Sequence, residues 1–164
     1  MLPLVLPPLT GWQLVAHATG DYVLQSDWMA AEKTKKSFAA LVHCLFYSIP
    51  FYIFFQPSWK AMGVIAGSHF LIDRFRLARF VCYFKNFLAP PTTKSAAEET
   101  TENPEGSYHV KKLRWKIHKW WHPWKECSVT GYSNDRIPYL TIWLLIITDN
   151  LMHIVINSFA LRYF

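Results

Sequence analysis

"PYLTIWLLIITDNLMHIVINSFAL", residues 138–161, is apolar for longer than the ~20 residues a helix needs to cross a bilayer, yet Asp149 and His153 sit in its middle. A spacing of four places those two side chains on one face of a helix. The spacing recurs as His17 and Asp21 in "AHATGDYVLQSDW" (16–28) and as His69 and Asp73 in "GSHFLIDRF" (67–75). Each pair lies in a segment of membrane-like hydropathy, and a fourth such segment, "FAALVHCLFYSIPFYIFF" (38–55), contributes His43. The first segment is short, because Pro3, Pro7 and Pro8 keep its helix from starting before about Leu9. Residues 9–25 either span with strain or re-enter.

At 164 residues the chain has room for one domain, and 52% hydrophobic with 17% aromatic residues is too apolar for an ordinary soluble domain. The expected fold class is all-α: a polytopic membrane helical bundle of about four transmembrane helices, built from residues 1–86 and 138–164, with a cytoplasmic loop at 87–137. "AHA" at 16–18 resembles a signal-peptidase site, but no basic region precedes it and prolines interrupt the apolar run, so a retained segment is expected. Cys44, Cys82 and Cys127 form no C-x-x-C pair and read as packing residues or a free thiol.

Charge supplies an orientation. Four spans put Lys33, Lys35 and Lys36 on the same side as the connection running from Arg74 to Arg136, and that side collects 15 of the 17 Lys and Arg. Excess positive charge marks the cytoplasmic face, so both termini are expected on the other. Within the loop, 90–106 is polar, acidic and Pro-containing and reads as a disordered linker. The segment 108–125 reads as an amphipathic helix in the headgroup layer, with Trp115, Trp120, Trp121 and Trp124 at the membrane interface among lysines and arginines. Basic and aromatic residues together also suit nucleic acid, but the flanking spans already place this segment at a lipid surface. Membrane lipid is therefore the expected partner, a protein partner is open, and no nucleic acid is expected.

An aspartate near the middle of a span costs about 2.5–3.5 kcal/mol even on the lenient insertion scale. Helices facing inward around a shared cation remove that cost, as carboxylate-bridged metal bundles do. Imidazole with carboxylate suits a divalent metal, zinc first and manganese or iron as alternatives. The ligand candidates His17, Asp21, His43, His69, Asp73, Asp149 and His153 suffice for one site with supporting groups or for two adjacent ions. Asp21, Asp73 and Asp149 are also the candidate catalytic carboxylates, and Arg74 and Arg76 the candidate substrate-binding cations. The bland alternative is a polar network that locks the bundle, with His43 a core histidine and Asp73 paired to Arg74 or Arg76. Asn150 and Asn157 are weaker candidates for supporting roles.

"HATGDYVLQSDWMAAEK", "LVHCLFY", "AGSHFLIDRFRLARF" and "TDNLMH", in that order, resemble the DUF3307 family of small membrane proteins of bacteria and their phages. That family is itself similar to the YdjM-type predicted membrane-bound metal-dependent hydrolases. The resemblance implies the seven His and Asp positions above as ligands and the bacterial inner membrane as location. The activity it points to is metal-dependent hydrolysis, and the depth of the candidate ligands, in the cytoplasmic half of the membrane, suits a phosphate or acyl ester near the cytoplasmic face. Two other functions fit the same residues: a non-enzymatic membrane interaction protein, phage-borne or host-directed, and a cation or proton pathway.

Overall fold

The computed structural model describes residues 10–86, 94–101, 110–117, 122–134 and 136–164, the two short middle stretches as backbone. The described residues open on a reciprocal cap: Gln13 N donates to Thr10 Oγ1 (3.3 Å) and Thr10 N to Gln13 Oε1 (3.2 Å). This satisfies two of the orphan donors at a helix start and opens α1, Gly11–Ala18. The helix then widens into a π turn, Thr19–Val23, closed by Leu24 N donating to Thr19 O at 2.9 Å. Gly20 makes this possible, since a Cβ there would lie 2.8 Å from Tyr47 O on the next long helix.

Three further helices complete the first half: α2 (Asp27–Glu32), α3 (Ser37–Phe55) and α4 (Trp59–Phe75). Ser26 and Ser58 cap α2 and α4 by accepting from Met29 N and Ala61 N. α5 (Ala78–Asn86) follows a sharp corner at Arg76, and α7 (Pro138–Tyr163) closes the bundle, packing on α4, α5 and α1. α3 packs on α1, the π turn, α2 and α4. The ends of the bundle are distinct. Arg74 NH1 donates to Thr34 O at one end, whereas Ser58 Oγ donates to Phe164 O at the other.

The bundle is built with its apolar side outward. On α7 the buried residues are Thr141, His153, Asn157, Ser158 and Ala160, while Ile142, Trp143, Ile147, Leu151 and Val155 are exposed. α3 likewise exposes Phe38, Leu45, Tyr52 and Ile53 and buries His43. A helix of a soluble bundle does the reverse. α3 and α7 are the two described helices long and apolar enough to cross a membrane. α4, with 17 residues, is about 25 Å long at 1.5 Å per residue. An apolar cluster of Ala16, Tyr47, Phe51, Ile65 and Ala160 fills the half of the bundle toward Ser58 and Phe164.

The middle of the chain corrects the sequence expectation. Within the expected linker 90–106, Lys94–Thr101 forms strand β1, and within the expected helix 108–125, Val110–Ile117 forms strand β2. The two pair antiparallel with Lys94 opposite Ile117 and Thr101 opposite Val110. Val110, Leu113 and Ile117 fit a helical stripe, but "LRWKI" (113–117) alternates apolar and basic residues, and period two is the strand signal. Trp115 lies on β2, and Trp120 and Trp121 lie outside the described residues. Helix returns only at α6, Trp124–Cys127. There Trp124 stacks on Phe80 of α5 at 4.7 Å, with the Arg79 guanidinium 5.5 Å from its ring, so it packs against protein. Arg76 and Arg79 donate to Val129 O and Ser128 O, holding this loop on the α4–α5 corner.

Candidate metal centre

Four side chains from three elements meet at the bundle end marked by Thr34 and Arg74. Asp21 comes from the π turn, His43 from α3, and His69 and Asp73 from successive turns of α4. All four are buried. His43 Nε2 lies 3.1 Å from Asp21 Oδ1, 3.2 Å from Asp73 Oδ2 and 2.9 Å from His69 Nε2. His69 Nε2 lies 3.2 Å from Asp73 Oδ2 and 3.9 Å from Asp21 Oδ1. Donors on a tetrahedral ion with bonds near 2.0–2.1 Å sit about 3.3 Å from one another. The spacing fits, and the donor set of two imidazoles and two carboxylates suits zinc or a similar divalent ion.

Two details sharpen the fit. Asp73 Oδ2 is buried and accepts no well-directed hydrogen bond, although three nitrogens crowd it. The other ring nitrogen of His69 is also accounted for. Nδ1 lies 3.1 Å from His153 Nδ1, and His153 Nε2 lies 3.3 Å from Asp73 Oδ1 and 3.5 Å from Asp149 Oδ2. With His69 Nε2 free as a ligand, Nδ1–H donates to His153, whose Nε2–H donates to the carboxylates. This matches the supporting hydrogen bond that metal-bound histidines make. His43 has no such support among the described residues, where its buried Nδ1 meets no partner. Asp73, Asp149 and His153 could alternatively hold an ion of their own, bridged to the first by Asp73.

His17 stands apart from both groups. Asn157 Nδ2 donates to the Tyr47 hydroxyl (2.6 Å), which donates to His17 Nδ1 (2.9 Å); His17 Nε2 then donates to Asn150 Oδ1 (2.8 Å). Asn150 also bonds Tyr22. The Tyr47 ring stacks on His69 at 3.5 Å, so this chain fixes a wall of the site without supplying a ligand. Arg74 is likewise turned elsewhere, donating to Ser37 Oγ and Thr34 O, whereas Arg76 lines the cavity beside the cluster.

The residue the sequence reading missed is Lys33. Its ammonium lies 2.8 Å from Asp73 Oδ2, 3.2 Å from Asp21 Oδ1 and 3.1 Å from His43 Nε2. Burial alone would lower its pKa, but the Asp73 and Asp21 carboxylates override that and hold it above the ordinary lysine value. Lys33, Lys35 and Lys36 look alike as a basic run. In the structure Lys35 and Lys36 pair with Glu32 at the surface, and Lys33 turns inward. A lysine in such a run carries no local mark of burial.

A family model for DUF3307, a family of proteins of unknown function, matches residues 9–100, more than half of the chain. The chain belongs to DUF3307. The match takes in Asp21, Lys33, His43, His69 and Asp73 and stops before Asp149 and His153 on α7. Neither the curated proteins nor the solved structures show a match.

Proposed function

We propose that this DUF3307 protein is an integral membrane, metal-dependent hydrolase acting on a phosphate or acyl ester near the cytoplasmic face of the bacterial inner membrane. The observation that carries the reading is the convergence of Asp21, His43, His69 and Asp73 at one buried point inside a bundle whose outer surface is apolar. A divalent ion held there by Asp21, His43, His69 and Asp73 would supply Lewis acidity and, with a fifth position beyond the four side chains, a bound water of lowered pKa. Asp149, half-buried at the edge of the cavity, is placed to accept a proton, and His153 links it to Asp73 and His69. Convergence at one level favours this over a cation pathway, which needs ionisable groups at successive depths.

Lys33 supports a second reading, in which the ammonium is the permanent counter-ion of a structural network and the protein is a non-enzymatic interaction partner. The two separate in one assay. Protein in lipid nanodiscs, loaded with zinc or manganese, should release product from a phosphate or acyl ester in a chelator-sensitive way. Asp149→Asn should lose turnover while keeping its metal. Folded protein that hydrolyses neither ester with any divalent ion favours the second reading. Orientation is checked separately: reporter fusions after Lys36 and in 95–105 should report cytoplasm, and one after Phe164 the opposite face.

A further inference from the structure

We infer that the cavity beside the cluster binds the phosphate of an amphiphilic phosphate ester, held by Lys33 and Arg76 after a divalent ion takes the place of Lys33 among the carboxylates. The inference rests on the metal reading above and names its ligand.

Position comes first. Lys33 Nζ is within 3.2 Å of three of the four ligand atoms, so a divalent ion and this ammonium cannot share the point. Lys33 also lines the adjoining cavity, and rotation of its side chain therefore moves the charge a short way without unfolding anything. Arg76 lines the same cavity.

Charge decides when an anion can enter. Among the described residues, Asp21, Asp73 and Asp149 line the cavity against Lys33 and Arg76, which leaves one formal negative charge in excess. An anion is repelled from that arrangement. A divalent ion reverses the sign and frees Lys33, so anion binding depends on metal.

Shape selects the rest of the ligand. A cavity of about 230 Å³ is below the ~300 Å³ at which pockets enclose a whole small molecule, and suits a headgroup. Its remaining wall includes Leu145 and Ile146 of α7 and Ala78 of α5, next to the exposed apolar face of α7. An acyl or isoprenoid chain can leave the cavity along that wall and stay in lipid.

Arg76 carries a second sign of purpose. It ends α4 in the left-handed region, φ 52°, with Leu77 N donating to Ile72 O, the closure at which glycine is the usual residue. A non-glycine residue there is strained, and what arginine adds is the guanidinium, part of which is engaged by Val129 O.

The strain provides a variant, R76G, in which relief of the backbone offsets the lost bond to Val129 O while Arg79 still holds the loop through Ser128 O. The test uses full-length protein in nanodiscs. Zinc is titrated alone, and inorganic phosphate or nanodisc-borne phosphatidic acid is then added with and without zinc. Zinc should bind Lys33→Met about tenfold more tightly than the native protein, because the competing cation is gone. R76G should hold zinc as the native protein does but lose about tenfold in phosphatidic acid affinity, one charge-assisted contact. Phosphatidic acid should bind only with zinc, and more tightly than inorganic phosphate. Zinc binding to neither native protein nor Lys33→Met sinks the metal reading itself. Zinc binding with phosphatidic acid affinity unchanged in R76G, equal without zinc, or no better than inorganic phosphate overturns this inference alone.

Discussion

His17–Asp21 and His69–Asp73 share one spacing and reach different ends. On α4 the helix is regular, and residues four apart overlie one another, so His69 Nε2 and Asp73 Oδ2 come within 3.2 Å and face the same point. Between His17 and Asp21 the helix passes into the π turn at Thr19, and the wider turn breaks that overlap. Asp21 is delivered to His43 and Lys33, while His17 is left with Tyr47 and Asn150. The same pair of residue types thus brings both side chains to the cluster from one helix and only one of the two from the other. A single inserted turn makes the difference.

The comparison breaks most directly at Asp73, the residue common to both candidate groups. Asp73→Asn should abolish metal retention and leave the Lys33 ammonium with Asp21 as its remaining carboxylate partner. Because Asp21 still pairs with the ammonium, the cost should stay below about 3–5 kcal/mol, that of leaving a buried charge uncompensated. Metal content and thermal unfolding in detergent report both effects. An Asn variant that keeps its metal would mean the cluster is not the ligand set.

Next in size is the contrast between the two histidines. His69→Gln should bind metal far more weakly, because it loses both a ligand and that ligand's bond to His153. His17→Gln should keep its metal and lose only about 1–3 kcal/mol of stability, the cost of unsatisfied buried groups. Equal loss of metal in both variants would make His17 a ligand after all.

Where the sequence was legible, the physics was local or strongly penalised. Asp21, Asp73 and Asp149 in apolar segments had to find partners, and the helical spacing of His69 with Asp73 and Asp149 with His153 survives intact. Lys33 was invisible because its burial is set by where α2 delivers it, and nothing in "KTKK" (33–36) differs between the lysines. The π turn was hidden for a related reason: Gly20 marks it only once the backbone of Tyr47 is known to lie against it. In 110–117 two periods share Leu113 and Ile117: Val110 completes a helical stripe with them, and Trp115 completes the alternation of a strand.

Smaller changes sharpen the role of the π turn. Gly20→Ala pushes a methyl group against Tyr47 and should cost about 1–3 kcal/mol by overpacking, with weakened metal affinity because Asp21 moves with the turn. Unchanged affinity would show that the close approach serves packing alone. The smallest effect is expected at Asn150→Ala, which removes the acceptor for His17 and should cost about 1 kcal/mol with metal content unchanged. Denaturant unfolding with metal analysis on the same samples resolves both.

The claim on which all of this depends is that Asp21, His43, His69 and Asp73 hold one divalent ion, and X-ray absorption of the zinc-loaded protein tests it most directly. One zinc per chain is expected, with a shell of nitrogen and oxygen alone at about 2.0–2.2 Å and scattering from two imidazoles, falling to one in His43→Gln. A sulfur ligand, an imidazole signal unchanged in that variant, or folded protein that binds no stoichiometric zinc would contradict it.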